Sequence, residues 1–283
     1  AIMADYVLTE NGGLHSGDSD NPHIGMNVGE KGVAWRRLRI KGTPGHGSAP
    51  FKSDNALVRA AGVVQRLADY RPPPQFHELW RQQVDILDVD DETKSIMLDE
   101  AKIEDWLDAH PVEGLARHFY SCTHTTFSPN VAESDRRMKT NVIPDQIDVN
   151  VDIRTLPGES GAEVQAHLDA ALGDLADQVD VEIIMNDPAS ISRIDNPMWD
   201  TIQKAVNQPF PSARLVPQLV VGFTDARVYR NLGSIAYGAG LFSPDLKSSD
   251  FMSRFHGHNE RIDVESLSLT TQFWIDVCHD FLS

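Results

Sequence analysis

Hydrophobic and polar positions recur along this chain with two periods, one near two residues and one near 3.6, and each change of period marks an element. Residues 4–10 (Ala-Asp-Tyr-Val-Leu-Thr-Glu) read as a buried strand ending at Glu10, followed by the turn signal Asn11-Gly12-Gly13. A polar loop through Gly17, Asp18, Asn21 and Pro22 comes next. Residues 33–40 (Val-Ala-Trp-Arg-Arg-Leu-Arg-Ile) alternate as a half-exposed strand does. After the glycine-rich run Gly42-Thr43-Pro44-Gly45-His46-Gly47-Ser48-Ala49-Pro50, the apolar positions Ala56, Leu57, Ala60, Ala61, Val64, Leu67 and Ala68 predict a helix. Asp54 is placed to cap that helix, and Arg71-Pro72-Pro73-Pro74 stops it.

Residues 75–117 are acidic, predict a helix around 94–109 that ends by Pro111, and read as an insertion. Strands are expected over 118–127 and 146–154, separated by a loop holding Glu133-Ser134-Asp135-Arg136-Arg137. Pro157-Gly158-Glu159-Ser160 opens a helix through Leu172, and a strand follows at 181–185. Strand, helix, strand, strand, helix, strand is the split βαβ order of a compact α+β unit. A helix at 196–207, short strands near 214–221 and 234–238, and a closing helix at 264–282 belong to something else. The expected organisation is one domain inserted into another: residues 1–30 and 188–283 in the host, 31–187 in the insert, with the acidic helical segment near 75–117 inside the latter.

Composition narrows the partners rather than the chemistry. The chain has 283 residues, 41% of them hydrophobic, with 25 basic against 42 acidic side chains and a net charge of −17. That surface repels phosphate backbones and anionic lipid, which argues against nucleic-acid and membrane partners. No apolar run approaches the roughly 20 residues that span a bilayer. Cys122 and Cys278 lie far apart and read as free thiols in a reducing, cytoplasmic compartment. No signal peptide is visible, and a chain that opens inside a strand without an initiator methionine reads as a fragment or a processed product.

Several positions invite a chemical reading beside a plain one. Glu10, where a buried strand meets a glycine turn, is either a functional carboxylate or a solvated strand end. His46 is either a histidine held beside a ligand by its glycine-rich loop or simply exposed. Phe255-His256-Gly257-His258-Asn259-Glu260 sets two imidazoles and a carboxylate just before a helix, a composition that suits zinc without requiring it. Asn141-Val142-Ile143-Pro144 and Asp152-Ile153-Arg154 read as a turn and a strand end.

Taken in order, these landmarks resemble the co-catalytic zinc family of acetylornithine deacetylase, succinyl-diaminopimelate desuccinylase, aminoacylase and glutamate carboxypeptidase. The matching stretches are Ala4-Asp5-Tyr6-Val7-Leu8-Thr9-Glu10, Gly45-His46-Gly47-Ser48-Ala49-Pro50, Asn141-Val142-Ile143-Pro144-Asp145, Val151-Asp152-Ile153-Arg154-Thr155-Leu156-Pro157-Gly158, Gly222-Phe223-Thr224-Asp225-Ala226-Arg227 and His256-Gly257-His258-Asn259-Glu260. Each is modest alone; six in register along the whole chain are specific. The resemblance implies an α/β fold: part of a zinc-peptidase catalytic domain, a mixed sheet flanked by helices, with an inserted α+β ferredoxin-like lid and dimerisation domain. It implies that Glu10 and His256 each bind one of two zinc ions (cobalt or manganese being the alternatives), with His258 a neighbour and not a ligand. His46 then supports the oxyanion of the tetrahedral intermediate, acting in the partner subunit of a homodimer, and Asn141 makes a second cross-subunit contact. Arg154 holds the substrate carboxylate, and Gly222 and Thr224 line the turn beside it. The activity implied is hydrolysis of the amide bond of N-acyl amino acids or short peptides by zinc-activated water.

Two departures from the family pattern matter. Two family features that complete the metal site and supply the general base are not met here: the Glu-Glu pair is absent from this sequence, and the family's His-x-Asp motif precedes the strand at 4–10, while His15-Ser16-Gly17 and His110-Pro111-Val112 have no aspartate two residues on. The expectation is therefore activity only together with a missing N-terminal portion, the alternative being an inactive remnant that serves as a dimerisation or binding module. The glycine-rich approach to Asn141 is also replaced, by Ser134-Asp135-Arg136-Arg137-Met138-Lys139-Thr140.

Overall fold

The computed structural model describes residues 3–17, 22–134, 138–247, 250–251, 253–254 and 258–283. In chain order the first half holds β1 (Tyr6–Thr9), β2 (Leu14–Ser16), β3 (His23–Glu30), β4 (Gly32–Val33), β5 (Arg36–Lys41), β6 (Gly45–His46), α1 (Ala56–Asp69), α2 (Glu78–Ile86), α3 (Asp91–Met97), α4 (Ile103–Asp108) and α5 (Glu113–Thr123). Then come β7 (Thr126–Glu133), β8 (Val142–Ile143), β9 (Gln146–Thr155), α6 (Gly161–Leu172), β10 (Val179–Ile183), β11 (Ser190–Ile191), α7 (Pro197–Asn207), β12 (Arg214–Val220), α8 (Ala226–Asn231), β13 (Ile235–Gly238) and α9 (Val264–Leu282). The chain divides into two compact units, residues 1–30, 75–123 and 190–283 in the first and residues 31–74 and 124–189 in the second.

The first unit is built on a mixed sheet. β1 runs parallel to β13, β13 antiparallel to β3, and β3 also pairs with β2, β11 and, in parallel, β12. β3 is buried along nearly its whole length, so its sequence shows no alternation of polar and apolar residues. Ile24, Met26 and Val28 meet Ile202 and Val206 of α7, Tyr237 of β13 and Phe273 and Val277 of α9 in one apolar core. A smaller core joins Trp80, Val84, Met97, Ile103, Leu107 and Phe119 from α2 to α5. The acidic segment was expected within the inserted domain; it packs instead on the first unit, because amphipathic α2 lies against β12 and turns Leu79 into the core around Ile24. The strand expected over 118–127 is also corrected. α5 runs to Thr123, since Phe119 and Cys122 share the helix face that fills the smaller core, and the strand starts only at Thr126.

The second unit is a sheet in the order β10-β5-β9-β4, with β7 also on β9, covered by helices on one face. Leu38 and Ile40 of β5 and Ile147, Val149, Val151 and Ile153 of β9 point to Ala56, Ala60, Val63 and Leu67 of α1 and to Val164 and Leu168 of α6. Full burial of such large side chains contributes about 1.5–3 kcal/mol each. The cap of α1 is Asn55, whose Oδ1 accepts the Leu57 N–H at 2.9 Å. Asp54, expected in that role, is instead 2.6 Å from Arg59 Nε. α6 opens as its Ser-x-x-Glu spacing requires, with a reciprocal capping box between Ser160 and Glu163. Pro129, which lacks an N–H, sits where the register of β7 shifts against β9.

α9 is anchored at its start by Asp263. Its carboxylate accepts the Ser266 N–H at 2.7 Å, the Ser266 hydroxyl at 2.9 Å and Arg254 Nη1 at 2.6 Å. The Ser266 N–H is the main cause that pulls its pKa from 3.8 to about 2. For a carboxylate so depressed, the stabilisation is complete above about pH 3.8 and is lost as pH falls through about 2. Asp263→Ala is expected to destabilise the chain by about 1 kcal/mol at neutral pH. The Tm difference from the parent should shrink on acidification through that window; a gap constant down to pH 2 would deny the carboxylate this role. Among the described residues no helix is long and apolar enough to cross a membrane.

Candidate functional site

In the second unit, β6 and β8 form a two-stranded ribbon in which Gly45 faces Ile143 and His46 faces Val142. The Gly47 N–H donates to the Asn141 carbonyl at 2.8 Å, and a Cβ at Gly47 would lie 3.2–3.3 Å from the Asn141 backbone. Two landmarks nearly a hundred residues apart, His46 and Asn141, are thus brought side by side, both exposed. The imidazole is oriented locally. His46 Nδ1 accepts the Ser48 backbone N–H at 3.2 Å and lies 2.7 Å from Ser48 Oγ. A backbone N–H can only donate, so Nδ1 carries the lone pair and the proton of the neutral ring sits on Nε2. The loop therefore presents a hydrogen-bond donor at the surface.

Arg154 lies on the sheet face opposite the helices. Residues 147, 149, 151 and 153 of β9 point to the core, so Asp148, Asn150, Asp152 and Arg154 line the other face. Arg37 and Arg39 of β5 extend this polar surface: Arg37 Nε donates to Asn150 Oδ1 at 3.1 Å and Arg39 to both oxygens of Asp148 at 3.2 and 3.1 Å. Arg154 is gripped by its neighbour on the same face, Nε donating to Asp152 Oδ1 at 2.6 Å and Nη2 to Oδ2 at 2.9 Å.

In the first unit, Glu10 follows β1 and is exposed. The turn after it is pressed on the end of β13: a Cβ at Gly12 would sit 2.0 Å from the Gly238 carbonyl, and Gly13 has φ 99°. Only glycine fits such an approach, which fixes where the Glu10 backbone leaves the sheet. Gly222 and Thr224 lie between β12 and α8. Thr224 is buried; its N–H donates to Glu30 and its Oγ1 accepts the Ala226 N–H at 3.2 Å. Glu30 also receives Arg230 Nη1 at 2.7 Å, while Arg230 Nε and Nη2 hold the Ala236 carbonyl at 3.0 and 2.8 Å. Burial pushes the Glu30 carboxyl up, opposed by the Thr224 N–H and the Arg230 charge, and burial pulls Arg230 down. Such a pair fixes geometry more than it adds stability. Thr9 faces Gly238, and Gly238 faces Asn27, three residues along β3 from Glu30. Glu10 thus lies near the level of the middle of β3, whereas the Thr224 turn is bonded to Glu30 at its end.

His256 lies outside the described residues. Among the described residues no three His, Cys, Asp or Glu side chains come together as a metal would need, so these residues do not complete a metal site. Ser48, Asp152, Glu30 and Arg230 escape sequence reasoning as site residues. The i,i+2 spacing of Asp152 and Arg154 on one strand face is the signal by which one pair could have been found.

A family model described as a peptidase dimerisation domain matches residues 28–180, more than half of the chain. The chain is 24% identical over 262 residues to a probable carboxypeptidase S-like 2 of Dictyostelium discoideum, covering 89% of this chain and 47% of that protein. It is 27% identical over 283 residues to the N-fatty-acyl-amino acid synthase/hydrolase PM20D1 of Xenopus tropicalis, covering 98% and 53%. The chain thus spans about half the length of these curated relatives. In fold it is similar to the M20 family metallo-carboxypeptidase Sso-CP2 of Sulfolobus solfataricus, with a TM-score of 0.63 at 16% identity over 97% of this chain and 63% of that one. It is likewise similar to human carnosine dipeptidase 1, with a TM-score of 0.60 at 14% identity over 97% and 59%. The match of the dimerisation-domain model over more than half of the chain places it in the M20 family of metallopeptidases.

Proposed function

We propose that the full-length protein is a metal-dependent amide hydrolase that releases amino acids from N-acyl amino acids, and that it works as a homodimer. The observation that carries this reading is the ribbon that sets His46, as an Nε2–H donor, beside Asn141. A donor held ready at the surface suits the developing charge on an amide oxygen better than it suits any task within its own loop. Arg154 is the group proposed to hold the substrate carboxylate, and Gly222 and Thr224 the turn that limits its reach. Glu10 and His256 are proposed as one ligand each for a pair of divalent metals, zinc before cobalt or manganese.

Homodimerisation is supported by the dimerisation-domain match and by an apolar stretch on α1, where Leu57 is 48% and Val58 68% exposed. N-fatty-acyl amino acids are the substrates to try first, because relatives from Xenopus tropicalis, Danio rerio and Mus musculus carry that activity in their names. The expected result is release of free amino acid, measured by mass spectrometry, from fatty-acyl and short-acyl amino acids by metal-replete full-length protein. Chelation should remove the activity and metal should restore it. A second reading, a dimerisation module without turnover, draws on the absence of a ligand cluster among the described residues. No release from any acyl amino acid by a metal-loaded dimer would favour it and sink the first.

A further inference from the structure

We propose that Trp35 and Asp152 are positioning residues that set the plane of the Arg154 guanidinium and thereby the preference for substrates with a free carboxylate; the proposal rests on the reading of Arg154 given above. Asp152 uses both oxygens on Arg154, at 2.6 Å to Nε and 2.9 Å to Nη2. Two parallel bonds define a plane, which one bond or a point charge does not. A guanidinium has five N–H donors, and this grip takes two of them and sets the plane of the group.

Asp152 is itself oriented. Trp35 Nε1 donates to Asp152 Oδ1 at 2.9 Å. The Trp35 backbone is tied down, because its carbonyl accepts the N–H groups of Ile184 at 3.0 Å and Met185 at 3.3 Å, and Arg36 Nη1 at 3.2 Å. Arg36 is buried and ties the same carbonyl region to the Met185 carbonyl at 3.0 Å. Backbone, indole, carboxylate and guanidinium thus form one chain of contacts that reaches Arg154, on the polar face of the sheet. An ion pair between i and i+2 neighbours on a partly exposed strand face contributes little to stability, so its removal leaves the unit folded. The bidentate geometry and the indole behind it are what a positioning role needs and a solvated face does not.

The test compares an N-acyl amino acid with its C-terminal amide in the full-length protein and in Asp152→Asn, Trp35→Phe and Arg154→Ala. Asp152→Asn sets an amide N–H against a guanidinium N–H, and Trp35→Phe removes the indole donor that orients Asp152. Both are expected to raise KM for the carboxylate substrate, by about tenfold and about threefold, with kcat within about twofold and the KM of the amide unmoved. If Arg154→Ala raises that KM while neither other variant does, the positioning claim is overturned and the role of Arg154 stands. If Arg154→Ala has no effect, the carboxylate-binding reading fails and the inference falls with it. An equal rise in KM for both substrates, or a collapse of kcat, would mean general damage to the sheet and would also overturn the proposal. Should Asp152→Asn fail to fold, the conservative Trp35→Phe carries the test alone.

Discussion

Replacing His46 with alanine in the full-length protein is expected to lower kcat for amide hydrolysis by about 10²–10³-fold and to leave KM almost unchanged. The group removed is a single N–H donor on an exposed ribbon, so the fold stays intact and circular dichroism should match the parent. The split between kcat and KM follows because an oxyanion donor is used fully only when charge has developed on the oxygen. An unchanged kcat would remove His46 from the chemistry. Mixing supplies a second readout. If the donor acts across a two-fold axis, a His46→Ala chain paired with a Glu10→Ala chain rebuilds one complete site. Random pairing of two inactive variants should then recover about a quarter of the parent activity. If His46 serves its own subunit, the mixture stays inactive.

Glu10→Ala is the second large effect. The backbone after Glu10 is fixed by the Gly12–Gly238 contact, and under the proposed function its carboxylate is a metal ligand. Loss of an outer-shell partner alone typically weakens metal binding about 10–100-fold, and loss of a direct ligand should exceed that. After dialysis the variant is expected to hold about one metal ion per chain where the parent holds about two, with turnover below detection. Elemental analysis measures the first and product release the second. A parent-like metal content in Glu10→Ala would return Glu10 to the plain reading of a solvated strand end, and His256→Ala analysed beside it would show whether the other proposed ligand behaves alike.

Much of the fold is legible in the sequence where one local signal has one answer. Ser160 with Glu163 announces α6, Asn196 with Pro197 announces α7, and the alternating run at 33–40 is divided between the end of β4 and β5, with Leu38 and Ile40 on the helices. Where tertiary packing decides, the sequence misleads. β3 carries Gly25 and Gly29 and is buried on both faces, so neither period is visible and it passes as loop. The threonines around position 125 have a strand's composition, yet Phe119 and Cys122 carry α5 into them. The acidic segment looks like an insertion wherever it packs, because its few buried residues do not say which core they fill. The site behaves the same way. His46 and Asn141 are visible as landmarks, but that they share a ribbon is a matter of register, and Trp35 reaches Asp152 only because β5 and β9 pair as they do.

The parallel pairing of β1 with β13 joins Tyr6 to Ile235, more than two hundred residues further along the chain. β1 must wait for this partner until residue 235 has been made, whereas β4, β5 and β9 can meet their partners much earlier. Loop entropy grows only logarithmically with length, so this wide detour takes little from the final stability and a great deal from the rate of assembly. Nascent chains halted before residue 235 should therefore leave the β13-facing edge of Tyr6 to Thr9 unpaired, a stretch open to chaperone binding.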